Sequence, residues 1–551
     1  MNKEAAFKEI INSQSYHVFF YPFQWDEIGS LKEAEDEIIK YNNRQKHCWK
    51  KIMPSNASTI SKKLSDTFSG RMLYKTYQYF NNASRDLVFG RDNLALKYEL
   101  CNKDNTPIDG TMYIFFENEK LEKMELLLRL LSVKLDIYEF GVGIISYEVV
   151  YQEKDENISL ESLLKNINFI NEKGRRLYPP FFLDKPKNSQ PNDENQSHVS
   201  HLTADKISIQ FKEDEEMLSQ NFSEVDNKLK TRIENGRIKI ENILPEYVEK
   251  LIPFMEKQKI ETVTDDRMFC CSLIMNDVAS NNVKGYCDGE CNGFVEELYM
   301  FAYVENSISC TSIPMRKKIL QKSVYDRWVE YGTIYAATHH SFMSIMEDVS
   351  QDPENKPVFL IENFVELYVP LVKIVLVQRA ELLVFLKRAA ELASNSKSSV
   401  MNYRKRLEEN NRFKHDYSRF LNEFMLPEVS SEEQAVDLYN LIQEQLYINQ
   451  VRESLTVQTQ ILYDITQSLV AHQEQKSNYD LQVLVGAISF VGICYGFVQI
   501  IGAFKETECL ASFIAGCPLS IQIVILFCLF LLVVSCIWIF SKMWKDRKES
   551  K

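Results

Sequence analysis

Apolar and polar positions change their spacing several times along this chain. Tyr16 to Phe23, Leu94 to Cys101, Thr111 to Phe116, Lys134 to Phe140 and Val142 to Val150 are rich in β-branched and aromatic residues, bounded by polar turns, and read as strands. Leu31 to Tyr41 and Leu121 to Leu131 carry helical spacing instead. Residues 1–183 are therefore expected to form an N-terminal α/β or α+β domain, a mixed sheet with helices. Gly141 and Gly143 fall between two strands, where a tight turn or bulge leaves no room for a side chain. Leu160 to Asn171 predicts a helix ending near Gly174, followed by Arg175, Arg176, Tyr178, Pro179 and Pro180. Residues 184–203 are polar with little to bury and read as a flexible loop. Mixed α/β structure resumes over 204–312, with strands expected at Phe269 to Met275 and Leu298 to Val304.

From 313 to 429 the spacing reads as helical. Lys318 to Met346 places Trp328, Tyr331, Tyr335 and His339 three or four residues apart. Val358 to Ala393 is apolar, but Lys373, Gln378, Arg379 and Glu381 interrupt it, which fits a buried helix better than a membrane span. Pro427 stops the next helix, and Ser430 with Glu433 forms a capping box. A stalk helix is expected over 430–480, where Leu441, Ile448, Leu455, Leu462 and Leu469 repeat every seven residues and Val451 and Ile465 fill part of a second seam. No Pro or Gly lies between Ser430 and Val485, so one unbroken helix is expected. Such a helix either couples two parts of the molecule or packs on its own domain.

Two charge-free apolar runs follow, at 481–504 and 519–541, separated by a loop at 505–518 and closed by a basic tail at 542–551. Each is long enough, at about 20 residues, to cross a bilayer as a helix. Asn478, Gln482, Val485, Ser489, Gly492, Gly496 and Gln499 share one stripe of the first run. That stripe either lines a pore built by several chains or is a small-residue packing seam. As a pore, amides at Asn478 and Gln482 would ring the entrance, Gly492 and Gly496 would allow close approach, and Gln499 would sit near the outer mouth. Glu506 and Glu508 would concentrate cations outside, or are simply solvated loop acids.

Composition bounds the rest. The chain has 551 residues and a formal charge of −13, which argues against direct DNA or RNA binding. Met1 to Gln14 lacks the apolar core of a secretory signal. Lys542, Lys545, Arg547 and Lys548 after the second run predict cytoplasmic N- and C-termini in a multi-pass membrane protein. Of the 12 cysteines, Cys48, Cys101, Cys270, Cys271, Cys287, Cys291 and Cys310 are then expected as thiols, while Cys509 and Cys517 in the outer loop either pair or stay free. Cys270, Cys271, Cys287 and Cys291 invite a zinc reading, but their spacing fits ordinary buried thiols better. No phosphate-cradling glycine loop, HExxH or nucleophile elbow occurs, so no catalytic residue is assigned and no enzyme is expected.

The order of soluble α/β domain, stalk helix, two apolar runs and basic tail resembles the CorA family of divalent-cation channels and transporters. Tyr495 and Gly496 match the start of that family's Tyr-Gly-Met-Asn motif, whereas Phe497 and Val498 replace its Met and Asn. HVFFYPFQWD at His17 to Asp26, YEFGVGIISYE at Tyr138 to Glu148, INEKGRRLYPPF at Ile170 to Phe181, YGTIYAATHHSF at Tyr331 to Phe342 and QRAELLVF at Gln378 to Phe385 resemble a divergent branch accompanying type III CRISPR systems. That resemblance implies a homopentameric channel in the lipid bilayer of a bacterial inner membrane, acting in antiviral defence. Its gating ligand would be a nucleotide second messenger, an adduct of S-adenosylmethionine and AMP (SAM-AMP) or a cyclic oligoadenylate. It implies no required cofactor, with a divalent cation as cargo. A housekeeping magnesium transporter and a membrane-anchored nucleotide hydrolase are the alternatives. Ligand candidates are Arg175, Arg176 and Tyr178, which supply guanidinium groups and a ring but as easily form surface ion pairs, and Trp328, Tyr335, His339 and His340, which serve equally as core.

Overall fold

A computed structural model describes residues 3–25, 30–52, 67–91, 93–117, 122–153, 158–177, 204–212, 214, 216–222, 231–234, 237–240, 244–254, 260–264, 267–286, 292–305, 311–395 and 403–506. The chain divides into two units, Met1–Lys397 with Phe413–Thr459, and Ser398–Arg412 with Gln460–Lys551.

The first unit is built on a sheet of 13 strands. In chain order the strands are β1 (Ser15–Gln24), β2 (Cys48–Lys51), β3 (Ala95–Cys101), β4 (Gly110–Glu117), β5 (Lys123–Tyr138), β6 (Val142–Tyr151), β7 (Lys206–Phe211) and β8 (Leu218–Asn221). Next come β9 (Thr231–Glu234) and β10 (Arg237–Ile240), which pair apart from the main sheet. Then follow β11 (Glu261–Thr262), β12 (Phe269–Met275), β13 (Val324–Tyr325), β14 (Ile334–Ala337) and β15 (Ser341–Met346). The path runs β13-β14-β15-β12-β1-β6-β5-β4-β7-β8, with β3 on β5, β2 on β3 and β11 on β1. β12 and β15 pair in parallel.

All ten positions of β1 are buried, because helices cover both faces of the sheet. On one face Phe19, Tyr21 and Phe23 join the main apolar core with the helix Leu160–Gly174. On the other, Tyr16 meets Phe364 edge-on at 6.4 Å between ring centroids, below the long helix Val369–Asn395. A π-helical turn, Phe364–Tyr368, leads into that helix. Gly141 has φ of +96°, and a Cβ at Gly143 would lie 2.4 Å from the Phe23 ring, which explains both glycines.

Several expectations are corrected. Among the described residues no helix is long and apolar enough to cross a membrane. This overturns the fold class of two C-terminal spans on a CorA-like frame, and with it the multi-pass inner-membrane placement. Pore-lining, ion-channel, metal-ion-transport and CRISPR antiviral roles lose the element they were built on. The run 481–504 is instead the end of the helix Ile448–Glu506, 59 residues long. On it Asn478, Gln482, Val485, Ser489 and Gln499 are exposed, and a Cβ at Gly492 or Gly496 would meet nothing within 4 Å. Gln499 Nε2 donates to Tyr495 Oη at 3.1 Å. The run 519–541, the tail, Glu508, Cys509 and Cys517 lie outside the described residues, as do residues 184–203, and Glu506 ends the described chain.

Local assignments change as well. Of the helix expected at Leu121 to Leu131, Lys123 to Leu131 lies in β5 and Leu121 is outside the described residues, while Leu298 to Tyr303 of the second expected strand belongs to the helix Asn292–Tyr303, with Val304 just past its end. Lys318 to Met346 is only briefly helical, then turns through Gly332 (φ +73°) into the β14–β15 hairpin. The stalk is not continuous: the helix Glu433–Gln445 ends at Leu446, and Tyr447 adopts φ of +56° before the 448–506 helix starts. Ser430 does not close a capping box with Glu433; its hydroxyl accepts from Glu432 N at 3.2 Å and donates to Tyr79 O.

Candidate functional site

Parallel pairing of β12 with β15 sets Cys270 level with Ser341, so the segments entering both strands meet at one end of the sheet. The segment before β12 carries Arg267, whose backbone bridges that of Arg176, and Met268 N donates to Arg175 O at 2.7 Å. The segment before β15 is the hairpin turn holding His339 and His340, and Cys270 N donates to His340 O at 3.1 Å. The 369–395 helix passes the same end and adds Arg379. Four arginines and two histidines therefore converge from four separate stretches of chain.

Each histidine accepts from one arginine. Arg267 Nη2 lies 3.2 Å from His340 Nε2, and Arg379 Nη2 contacts His339 Nε2 while its Nη1 reaches His339 O at 3.4 Å. The two imidazoles stand nearly perpendicular with centroids 5.1 Å apart. Two small cavities share His339 and Arg379. One, of about 20 Å³, is completed by Arg267, His340 and Thr264; the other, of about 100 Å³, by Leu446, Tyr447 and Val451.

Arg175 lies deeper, 2% exposed. Its Nη2 reaches Val304 O at 3.5 Å, and its Nε and Nη1 have no hydrogen-bond partner among the described residues. Burial pushes its guanidinium down to about 10, and the neighbouring Arg267 and Arg176 act in the same direction. Val304 is held at φ of +54°, an unfavourable conformation for a β-branched residue, just beyond the 292–303 helix. Thr338 Oγ1 donates to Ala302 O at 3.1 Å, so the hairpin also closes the end of that helix.

The same turn meets the break in the stalk. His339 Nδ1 lies 3.3 Å from Gln445 O, and its ring packs on Tyr447 at 5.8 Å between centroids. A positive φ on a tyrosine costs of order 1–3 kcal/mol and persists only where its surroundings hold it.

The structure thus joins Arg175, Arg176, His339 and His340, which the sequence offered as two separate candidates. Trp328 and Tyr335 stand apart from them. Trp328 Nε1 donates to Gln434 Oε1 at 3.1 Å, and Tyr335 is buried in β14 against Phe342 and Tyr368. Tyr178 lies outside the described residues. Arg267 and Arg379 were missed, although Arg379 was visible as a charge interrupting an apolar helix. Cys270 and Cys271 are consecutive in β12 and so face opposite sides as buried thiols, while Cys287 and Cys291 lie outside the described residues. Among the described residues no three His, Cys, Asp or Glu side chains are grouped to hold a metal.

Beneath the 160–174 helix, His17 is fully buried between Asn171 Oδ1 at 2.7 Å and Ser15 Oγ at 2.8 Å. Burial lowers its pKa to about 4, only partly offset by Asn171. The unfolded chain takes up this proton near pH 6.5 and the folded chain only near 4, so stability is full above the higher value and falls as pH drops between them. The expected loss is about 3 kcal/mol across that window. Urea unfolding of the wild type and of His17→Gln at stepped pH checks this, since the variant should lack that component.

Compared with known proteins, no family model matches this chain, and no curated protein or solved structure matches it either.

Proposed function

We propose that the first unit is a receptor for a small phosphate-bearing ligand of the nucleotide class, bound where Arg175, Arg176, Arg267 and Arg379 meet His339 and His340. The observation that carries this reading is the deeply buried Arg175 with two unsatisfied N–H groups, behind a half-buried shell of three more arginines. Burying a guanidinium without a full set of acceptors is costly, and an anion offsets that cost. Guanidinium groups bind phosphate in bidentate fashion, and an imidazole or phenol ring offers a face for a base. Tyr447 supplies that face on the apolar side, among Leu446, Ile448 and Val451. A ligand there touches both the hairpin turn and the helix break, so occupancy bears on the geometry of the break. SAM-AMP and cyclic oligoadenylates, the ligands implied by the sequence resemblance, belong to this chemical class.

Calorimetric titration of the full chain with SAM-AMP and with a cyclic oligoadenylate tests the reading, with adenosine as the phosphate-free control. Saturable binding of at least one of the two and at least ten-fold weaker binding of adenosine is the expected result. Equal binding of adenosine, or no binding of either nucleotide, overturns it. Chromatography of the ligand recovered afterwards separates binding from turnover: intact nucleotide agrees with a receptor, and hydrolysed nucleotide replaces it with an enzyme.

A further inference from the structure

The face of the sheet covered by the 369–395 helix carries a second set of buried charges that the nucleotide reading does not use. Lys97 on β3, Lys134 and Asp136 on β5 and Glu148 on β6 all project toward the 369–395 helix, which contributes Lys373. Lys373 Nζ lies 2.6 Å from Asp136, Lys134 pairs with Glu148, and Lys3 reaches Glu366 of the π-helical turn at 2.8 Å. Lys97 has only a share of Asp136, at 3.5 Å, and its ammonium lies beside the Tyr138 ring, 5.6 Å from the centroid. Its residue is 8% exposed.

Lys97, Lys134, Asp136 and Lys373, with Lys3 and Glu366, line a cavity of about 290 Å³, near the lower end of the range for ligand sites. Leu87, Phe89, Ile374 and Val377 are among its apolar lining residues, so charged and apolar groups share the space. The π-helical turn is itself a feature that recurs at functional sites, and it sets Glu366 at the cavity. A lysine this buried is stable as a cation only with acceptors around it. Burial pushes Lys97 down to about 8 against the pull of Asp136, which still leaves it mostly charged at neutral pH.

We propose that this cavity binds a small monocarboxylate, its carboxylate completing the shell of Lys97 and its apolar tail lying along Leu87, Phe89, Ile374 and Val377. The cavity shares no lining residue with the guanidinium cluster, so either site stands if the other fails.

Titration of the full chain with hexanoate, and separately with hexanol, is the test. Saturable hexanoate binding, at least ten-fold tighter than hexanol, is expected for the wild type. Lys97→Met should weaken hexanoate at least ten-fold while Lys97→Arg stays within about three-fold of wild type, as anticipated for a charge-assisted contact. Lys97→Met should fold, because Asp136 keeps Lys373; a circular dichroism spectrum matching wild type verifies it. Absence of hexanoate binding, equal hexanol binding, or unchanged affinity in folded Lys97→Met overturns the proposal.

Discussion

Asp136→Ala is expected to destabilise the fold by roughly 3–5 kcal/mol, the largest loss from any single substitution considered. The carboxylate is 3% exposed by side chain and stands between Lys373 at 2.6 Å and Lys97 at 3.5 Å. Burial alone would raise its pKa, but the two ammonium groups outweigh burial and hold it below the ordinary carboxylate value. Its contribution is therefore present above the unfolded carboxylate range and disappears as pH falls through the lowered folded value. Removing it strands two ammonium groups against an apolar sheet. Denaturant unfolding followed by circular dichroism measures the effect, and the double variant Asp136→Ala/Lys97→Met should recover part of it, since only the more accessible Lys373 is then left over. A loss below about 1 kcal/mol, the level of an exposed pair, would show that water reaches the network freely.

Gly143→Ala is expected to cost about 3 kcal/mol, the upper end for inserting a methyl into a filled core. The new Cβ would sit 2.4 Å from one atom of the Phe23 ring and 2.7 Å from the next, and Phe23 is fully buried. Phe23 and Gly143 are cross-strand partners in β1 and β6, and the ring is packed in the apolar core beside Tyr21, so it can move aside only by displacing its neighbours. Pairing this change with Phe23→Leu should return part of the loss, which distinguishes a steric clash from a backbone preference of glycine.

Much of the sheet was legible because β-branched and aromatic runs such as Tyr16 to Phe23 have few other uses. What misled was apolar residues in unbroken runs, which hide the alternation of buried Leu126, Leu128 and Leu130 with exposed Leu127 and half-buried Arg129. Leu126, Leu127, Leu128, Leu130 and Leu131 satisfy a helical spacing, yet they lie in β5. Tyr299 and Tyr303 look strand-like in an aromatic run, but stack at 4.9 Å one helical turn apart. The break at Tyr447 carries no Pro or Gly; it is held by tertiary contacts with His339, which local sequence does not encode. Lys134 and Asp136 alternate with Leu135 and Ile137 as a half-exposed strand would, whereas the 369–395 helix covers that charged face.

The candidate site was half visible. Adjacent Arg175 and Arg176 marked an electropositive turn, and His339-His340 marked another, but no local pattern joins them. Their meeting depends on the parallel β12–β15 pair, a long-range feature, and on the Arg176–Arg267 bridge. The one signal that could have helped was the interruption of an apolar helix by Lys373 and Arg379. A charge kept inside a buried helix needs a partner, and these two lead to the carboxylate network and to the guanidinium cluster respectively.

The most direct measurement is the affinity of the full chain for SAM-AMP and for a cyclic oligoadenylate, before and after Arg267→Ala/Arg379→Ala. Affinity for whichever nucleotide the wild type binds should fall at least 100-fold in the double variant, with the circular dichroism spectrum retained. Undiminished affinity in the folded double variant would contradict it.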